Sequence, residues 1–179
     1  FQYESMAGIT RLEPSHRKDY LRSGINLIQA NINNIQINEA KEVIPMIDIQ
    51  YTIETEQYGN KTGNRLFIPA NIFRKGFTTP DLKQRVQDIH INYGYLDTDS
   101  ICLQIPEGYT IESLPKTCQV TSSFGSFSSS LMIKDKEICI IHRLLMHRGI
   151  YPKEIYKDFL EFRKQIAAQY SSKIILKKE

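Results

Sequence analysis

The cleanest alternation in the chain runs from Ile47 to Glu54. There Ile47, Ile49, Tyr51 and Ile53 take every second position between Asp48, Gln50, Thr52 and Glu54. A period of two sends successive side chains to opposite faces, so the segment predicts a strand with one wet face. Ile35 and Ile37 start the same rhythm upstream, from Asn33 onward. Before it, Leu21, Ile25, Ile28 and Ile32 recur at helical spacing and predict a helix that Pro14 opens and Gly24 weakens. Phe1 to Glu13 reads as an exposed or edge strand. Tyr58 to Asn64 reads as a turn, and Asn64 to Ala70 as a short strand broken by Pro69.

Ile89, Ile91, Tyr93 and Tyr95 share one face of the next run, and Ile101, Leu103 and Ile105 share a face of the one after it. With Asp97-Thr98-Asp99 as a turn between them, the two predict a hairpin. Leu103 to Lys116, LQIPEGYTIESLPK, reads as a strand, a Pro-Glu-Gly turn, a second strand and a proline stop. Gln119 to Ser123 and Phe127 to Ile133 pair around Phe124-Gly125, and the serine-rich run from Ser126 to Ser130 is too short for a linker. Lys134-Asp135-Lys136 turns the chain into Glu137 to Met146, where apolar residues on both faces predict a central strand. Ile155, Phe159, Phe162, Ile166 and Tyr170 then form an amphipathic helical stripe, expected to pack on a sheet. Ser171-Ser172 ends that helix, and Lys173 to Lys177 is a last strand.

The sum is a mainly β (α+β) chain: an antiparallel β-sandwich with one helix near each end and the C-terminal amphipathic helix packed on a sheet. A division is expected near residue 80. It separates 1–80, a strand, helix and β-hairpin segment, from 81–179, a β-sandwich module with its C-terminal helix. One continuous domain over 1–179 is the alternative.

The 179 residues are 41% hydrophobic and 24% charged, a balance that suits a packed core rather than disorder. A net charge of +3, from 23 basic and 20 acidic residues scattered along the chain, gives no concentrated face for nucleic acid. No apolar run approaches the length of a membrane span. The chain opens on Phe1 without a methionine or a secretory leader and is expected to be a fragment.

Candidate chemistry is sparse. Cys102, Cys118 and Cys139 form no CxxC and no zinc set with the four histidines. Cys102 and Cys139 lie inside strand-like runs and are expected to be free and buried. One disulfide is possible in an oxidising compartment, and the sequence does not choose the pair. A nucleophilic cysteine would need His90, His142 or His147 in reach, and Cys139 and His142, three apart on one strand, face opposite sides. Gly125-Ser126-Phe127 lacks the second glycine of a hydrolase elbow. Asp97, Asp99, Glu107 and Glu112 read as solvated carboxylates near turns, and Asp97-Thr98-Asp99 lacks the glycine and distal glutamate of a calcium loop. No cofactor or metal is expected. Ten tyrosines and no tryptophan leave Tyr93, Tyr109 and Tyr151 as candidates for an aromatic surface that binds a glycan or a peptide. The alternative for such strand tyrosines is a role in the core.

The motifs from Asn64 to Lys178 carry a resemblance. Gly63-Asn64-Arg65-Leu66-Phe67-Ile68-Pro69 is followed by Arg85 and by Ile105-Pro106-Glu107-Gly108-Tyr109. Ile111-Glu112-Ser113-Leu114-Pro115-Lys116 comes next, then Gly125-Ser126-Phe127, and the ending runs from Tyr156 through Phe159 to Ile174-Ile175-Leu176-Lys177-Lys178. In this order they resemble the C-terminal β-rich domain of unknown function of bacterial transglutaminase-like envelope proteins. The resemblance implies a papain-fold core upstream in the same chain, carrying Cys-His-Asp residues that have no counterpart here. It also implies export to the periplasm or cell surface and a non-catalytic accessory role in a larger protein. A module that binds a cell-envelope glycan or peptide is the competing expectation, and a free-standing hydrolase ranks last.

Overall fold

The structure is a computed structural model that describes residues 6–73, 79–82 and 85–179. Among these residues it is mainly antiparallel β, 49% strand, with open sheets and two helices. The chain divides into two compact units, Phe1–Tyr58 with Ile72–Arg74, and Gly59–Asn71 with Lys75–Glu179. The stretch 59–71 therefore belongs with the second unit, whereas the sequence reading kept it with the first.

In the first unit a 3-10 turn, Gly8–Arg11, precedes helix α1, Pro14–Ser23. Strands β1, Asn31–Ala40, and β2, Met46–Glu54, form a long antiparallel hairpin. Leu12 and the described residues before it are helical or irregular rather than the expected edge strand. The helix is shorter than its spacing predicts. It stops at Ser23, Ile25 forms a β-bridge with Phe73, Ile28 is exposed, and Ile32 belongs to β1. Ile25 and Ile32 nevertheless share one core with Ile9 and Leu21, so three of the four expected positions are buried, on a backbone that differs from the expected one. Ile32 faces that core, and a strict alternation would send Ile35 and Ile37 away from it. A bulge between Asn33 and Gln36, with Asn34 at φ 53°, inserts the residue that resets the phase. Ile35 and Ile37 thus pack on the same core.

The second unit holds two four-stranded sheets. One has the order β3-β4-β12-β7, from β3 Asn60–Thr62, β4 Arg65–Pro69, β7 Tyr109–Ser113 and β12 Lys173–Lys178. The other has the order β6-β10-β9-β8, from β6 Tyr95–Gln104, β8 Cys118–Ser122, β9 Gly125–Lys134 and β10 Glu137–Met146. A two-stranded ribbon pairs β5, Ile89–Ile91, with β11, Gly149–Tyr151. The run 58–64 is thus not only a turn: Asn60–Thr62 pairs with Arg65–Phe67 around Gly63, at φ 59°. The Pro-Glu-Gly segment is the expected turn, with Gly108 at φ 74° and the Tyr109 N–H donating to the Pro106 carbonyl at 3.2 Å. The arginine and glutamate of the two flanking motifs meet across β12, where Arg65 donates to both carboxylate oxygens of Glu112 at 2.6 and 2.7 Å.

Strand β10 is central, as its sequence predicts, but its faces differ. Ile138, Ile140, His142, Leu144 and Met146 are buried, whereas Arg143 and Leu145 are exposed. Helix α2, Tyr156–Tyr170, lays Tyr156, Leu160, Phe162, Ile166 and Tyr170 into a core with Phe124, Phe127, Leu144, Met146 and Ile89. Phe159 completes its apolar face, its ring 5.0 Å from that of Phe124. Ser171 and Ser172 end the helix by donating their hydroxyls to the carbonyls of Ala167 and Gln169 at 2.8 and 2.6 Å.

The hairpin expected between residues 89–95 and 101–105 does not form. Asp97-Thr98-Asp99 lies inside the single strand β6, which pairs along its whole length with β10, and β5 turns instead to β11. Asp97 and Asp99 share a face with Tyr95, Ile101 and Leu103, so the alternation runs straight through the supposed turn.

Candidate functional site

Three places in the second unit concentrate polar or reactive groups. The first is a polar row across the inner face of the β6-β10-β9-β8 sheet. In register, Asp99 of β6 stands opposite His142 of β10, His142 opposite Ser129 of β9, and Ser129 opposite Cys118 of β8. His142 is 1% exposed and Asp99 9%. The reading of Asp99 as a solvated turn carboxylate is therefore corrected. Alternation carries it inward, and the Asn71 amide donates to it at 3.4 Å. The Tyr170 ring lies 4.8 Å from the His142 ring, and the Phe127 ring stacks against His142 at 5.8 Å.

An aspartate, a histidine and a serine in a row have the residue types of a hydrolase triad. Here they form the floor of a core under helix α2, where a substrate carbonyl has no approach. The row lies buried against the Phe127 and Tyr170 rings, between the sheet and the helix. Burial raises the Tyr170 hydroxyl above its ordinary value, and the carboxylates of Asp99 and Asp97 raise it further. The same interior lowers the Arg163 guanidinium through desolvation, while its contact with Tyr95 opposes the fall.

The folded state keeps Tyr170 protonated where the unfolded chain ionises near pH 10. Stability is therefore intact below about pH 10 and falls as pH rises above it. Tyr170→Phe is expected to cost about 1 kcal/mol at neutral pH by removing the hydroxyl that faces the Asp99 and Asp97 carboxylates. It should also flatten the alkaline decline, and urea midpoints at about pH 8 and about pH 10.5 compare the two chains.

The second place is an open cleft of about 410 Å³ at the β5–β11 ribbon, lined by His90, Ile91, Asn92, Tyr93, Arg148 and the pair Gly149-Ile150. Tyr93, 53% exposed, sits just past β5 rather than in a strand face. Gly94 permits that path, since a Cβ there would stand 3.1 Å from the Met146 carbonyl oxygen and 3.2 Å from the Arg148 nitrogen. Tyr151 turns the other way, its ring 4.7 Å from Phe124 and its hydroxyl donating to the His147 carbonyl at 3.3 Å. Tyr109 begins β7 on the other four-stranded sheet, paired with Lys178. The structure thus brings Tyr93 and Tyr151 to one ribbon, places Tyr93 alone of the three in the cleft lining, and leaves Tyr109 on a separate sheet. The cleft offers an aromatic face, a guanidinium, an amide and an imidazole, which suit a hydroxyl-rich or anionic ligand.

The third place is the outer face of the same four-stranded sheet. Cys102 and Cys139, directly opposite on β6 and β10, form a disulfide there, with Cα atoms 4.1 Å apart. The expectation of two free core cysteines is overturned. Both side chains take the outward face of their strands, away from His142 and Asp99, and Cys102 is exposed. Cys118, free and half-buried, packs on the inner core, and burial raises its thiol. The pairing that the sequence left open thus follows from which face each cysteine occupies. The predicted separation of Cys139 from His142 holds, with the sheet between them.

Together the sheets, ribbon and helix define an open antiparallel β module whose polar row is buried and whose exposed polar groups gather at a cleft and a disulfide. The family described as a Domain of Unknown Function with solved-structure structure, DUF3858, matches residues 64–176, from the start of β4 into β12. The match covers more than half of the chain, and the chain belongs to that family. No curated protein and no solved structure matches it.

Proposed function

We propose that this chain is a non-catalytic accessory module of a larger exported protein with a transglutaminase-like core, located in the periplasm or at the cell surface. The observation that carries the reading is the Cys102–Cys139 disulfide on an exposed sheet face, since such bonds persist in oxidising compartments and are rare in the cytosol. The accessory role draws support from the burial of Asp99, His142 and Ser129 in the polar row. The outer sheet face, where Met132 is exposed beside the disulfide and Leu96 and Leu145 are exposed at the far end of the same strands, is the surface offered to the core. No helix among the described residues is long and apolar enough to cross a membrane.

An immunoblot of fractionated native cells tests the reading. The expected result is a band several-fold heavier than 20.8 kDa in the periplasmic or envelope fraction. A cytoplasmic band near 20.8 kDa overturns it.

The cleft favours a second reading, a module that binds a glycan or peptide of the cell envelope. Tyr93→Ala is then expected to weaken binding of soluble cell-wall fragments at least tenfold, with the melting temperature unchanged because the ring is half exposed. Equal titration curves for the two chains would remove Tyr93 from any such site.

A further inference from the structure

We infer that Cys102 and Cys139, once reduced, form with Glu137 a binding site for a zinc-class divalent cation on the outer face of the β6-β10-β9-β8 sheet. Glu137 lies two residues before Cys139 and so projects from the same face of β10. Its Oε2 is 3.6 Å from the Cys139 sulfur. One donor atom from each of Cys102, Glu137 and Cys139 lies within 4.8 Å of the others.

These spacings match what the metal requires. A tetrahedral zinc with Zn–S near 2.3 Å and Zn–O near 2.1 Å sets a neighbouring sulfur and oxygen about 3.6 Å apart, and two sulfurs about 3.8 Å apart. The sulfur–oxygen spacing is already in place. The two sulfurs need only rotate apart about χ1 when the disulfide opens, with both strands held by their ladder. Gln104, opposite Glu137, donates its amide to Oε1 at 2.8 Å, which leaves Oε2 toward the sulfurs. That is the outer-shell support a carboxylate ligand ordinarily has. Cys102 is exposed, so the fourth position opens to water. Two thiolates and one carboxylate select a borderline-soft cation over magnesium or calcium.

The disulfide and the metal are alternative states of the same two sulfurs. A dithiol reductant attacks the exposed Cys102 sulfur as a thiolate, forms a mixed disulfide with it, and releases Cys139 as a thiolate. The second thiol of the reductant then displaces Cys102 and departs as the reductant's own disulfide. Two electrons have passed to the pair. The cation takes both cysteines as thiolates, and any protons they carried go to solvent.

The test titrates cobalt(II), as a coloured stand-in for zinc, into the whole chain after metal-free reduction with a phosphine. Circular dichroism follows the fold throughout. The expected result is one equivalent bound with a thiolate-to-cobalt charge-transfer band, displaced by zinc, and no band from the oxidised chain. Glu137→Gln should weaken the affinity at least tenfold, the pair Cys102→Ser and Cys139→Ser should abolish the band, and Cys118→Ser should leave it unchanged. The same band from the oxidised chain, no band from the reduced one, or its loss in Cys118→Ser would each overturn the inference. So would a reduced chain that has lost its sheet signal and binds equally well with Glu137→Gln.

Discussion

Gly125→Ala is expected to destabilise the second unit by about 3 kcal/mol or more, a large share of the stability of an ordinary domain. Gly125 begins β9 opposite Met146, with φ at 148°, in the region that only glycine enters without cost. A Cβ built there falls 1.9 Å from the Leu145 carbonyl oxygen and 2.9 Å from its carbon. Both obstacles are backbone of the central strand, so relief means separating β9 from β10 at their closest end. The His147 N–H bonds to the Phe124 carbonyl beside it at 2.8 Å, which holds the two segments together there. Urea denaturation of the parent and the variant measures the loss. Gly8→Ala is the control, since among the described residues no atom beyond its own helical turn and chain neighbours lies within 4 Å of its added methyl. A midpoint for Gly125→Ala equal to that of Gly8→Ala would show that the strand end yields freely.

The second large effect comes from the disulfide. Cys102 and Cys139 are 37 residues apart, and closing a loop of that length restrains the unfolded chain by roughly 4 kcal/mol in the chain-entropy account. The double substitution Cys102→Ser with Cys139→Ser is therefore expected to lower the melting temperature by about 10 °C. In the presence of a chelator, a reductant should bring the parent down to the level of the double variant. It should do nothing to the variant itself. Cys118→Ser should respond to reductant as the parent does, because its thiol lies on the other face of the sheet. If reductant shifts the parent by less than about 2 °C, the bond restrains nothing that the ten-residue ladder between β6 and β10 does not already hold.

How far the sequence reveals this molecule depends on which physical rule governs each segment. Where one face is wet and one dry, the period of two reads directly, as in Ile47 to Glu54 and in the β8–β9 pair around Phe124-Gly125. The stripe of the last helix reads equally well, because its partners are a sheet and not solvent. Asp97-Thr98-Asp99 misleads because turn composition outweighs alternation in a local reading. The polar row that justifies two inward aspartates is assembled from β9, β10 and α2, far away in the chain. Leu21, Ile25 and Ile32 mislead differently: helical spacing and a shared core agree, but Gly24 stops the helix, Ile28 is exposed, and Ile32 enters the core from β1. The disulfide is invisible to composition because burial and pairing both suit a cysteine in a strand. Only the three-residue offset of Cys102 from Asp99 and of Cys139 from His142 places it outside.

The order β3-β4-β12-β7 sets a schedule for biosynthesis. The strand that joins the two halves of this sheet is residues Lys173–Lys178, with Ile174 and Leu176 exposed by 1% or less. Strand β7 ends at Ser113, so 65 residues separate its completion from that of β12 at Lys178. At ordinary rates of translation that is roughly 3–13 s. Through this interval β4 and β7 emerge from the ribosome with unmet backbone edges, a hazard for pairing with neighbouring nascent chains. Folding of the sheet is thus deferred until the chain has passed residue 178, and a ribosome that stalls between Ser113 and Lys173 holds a product whose two edges have nothing to close on.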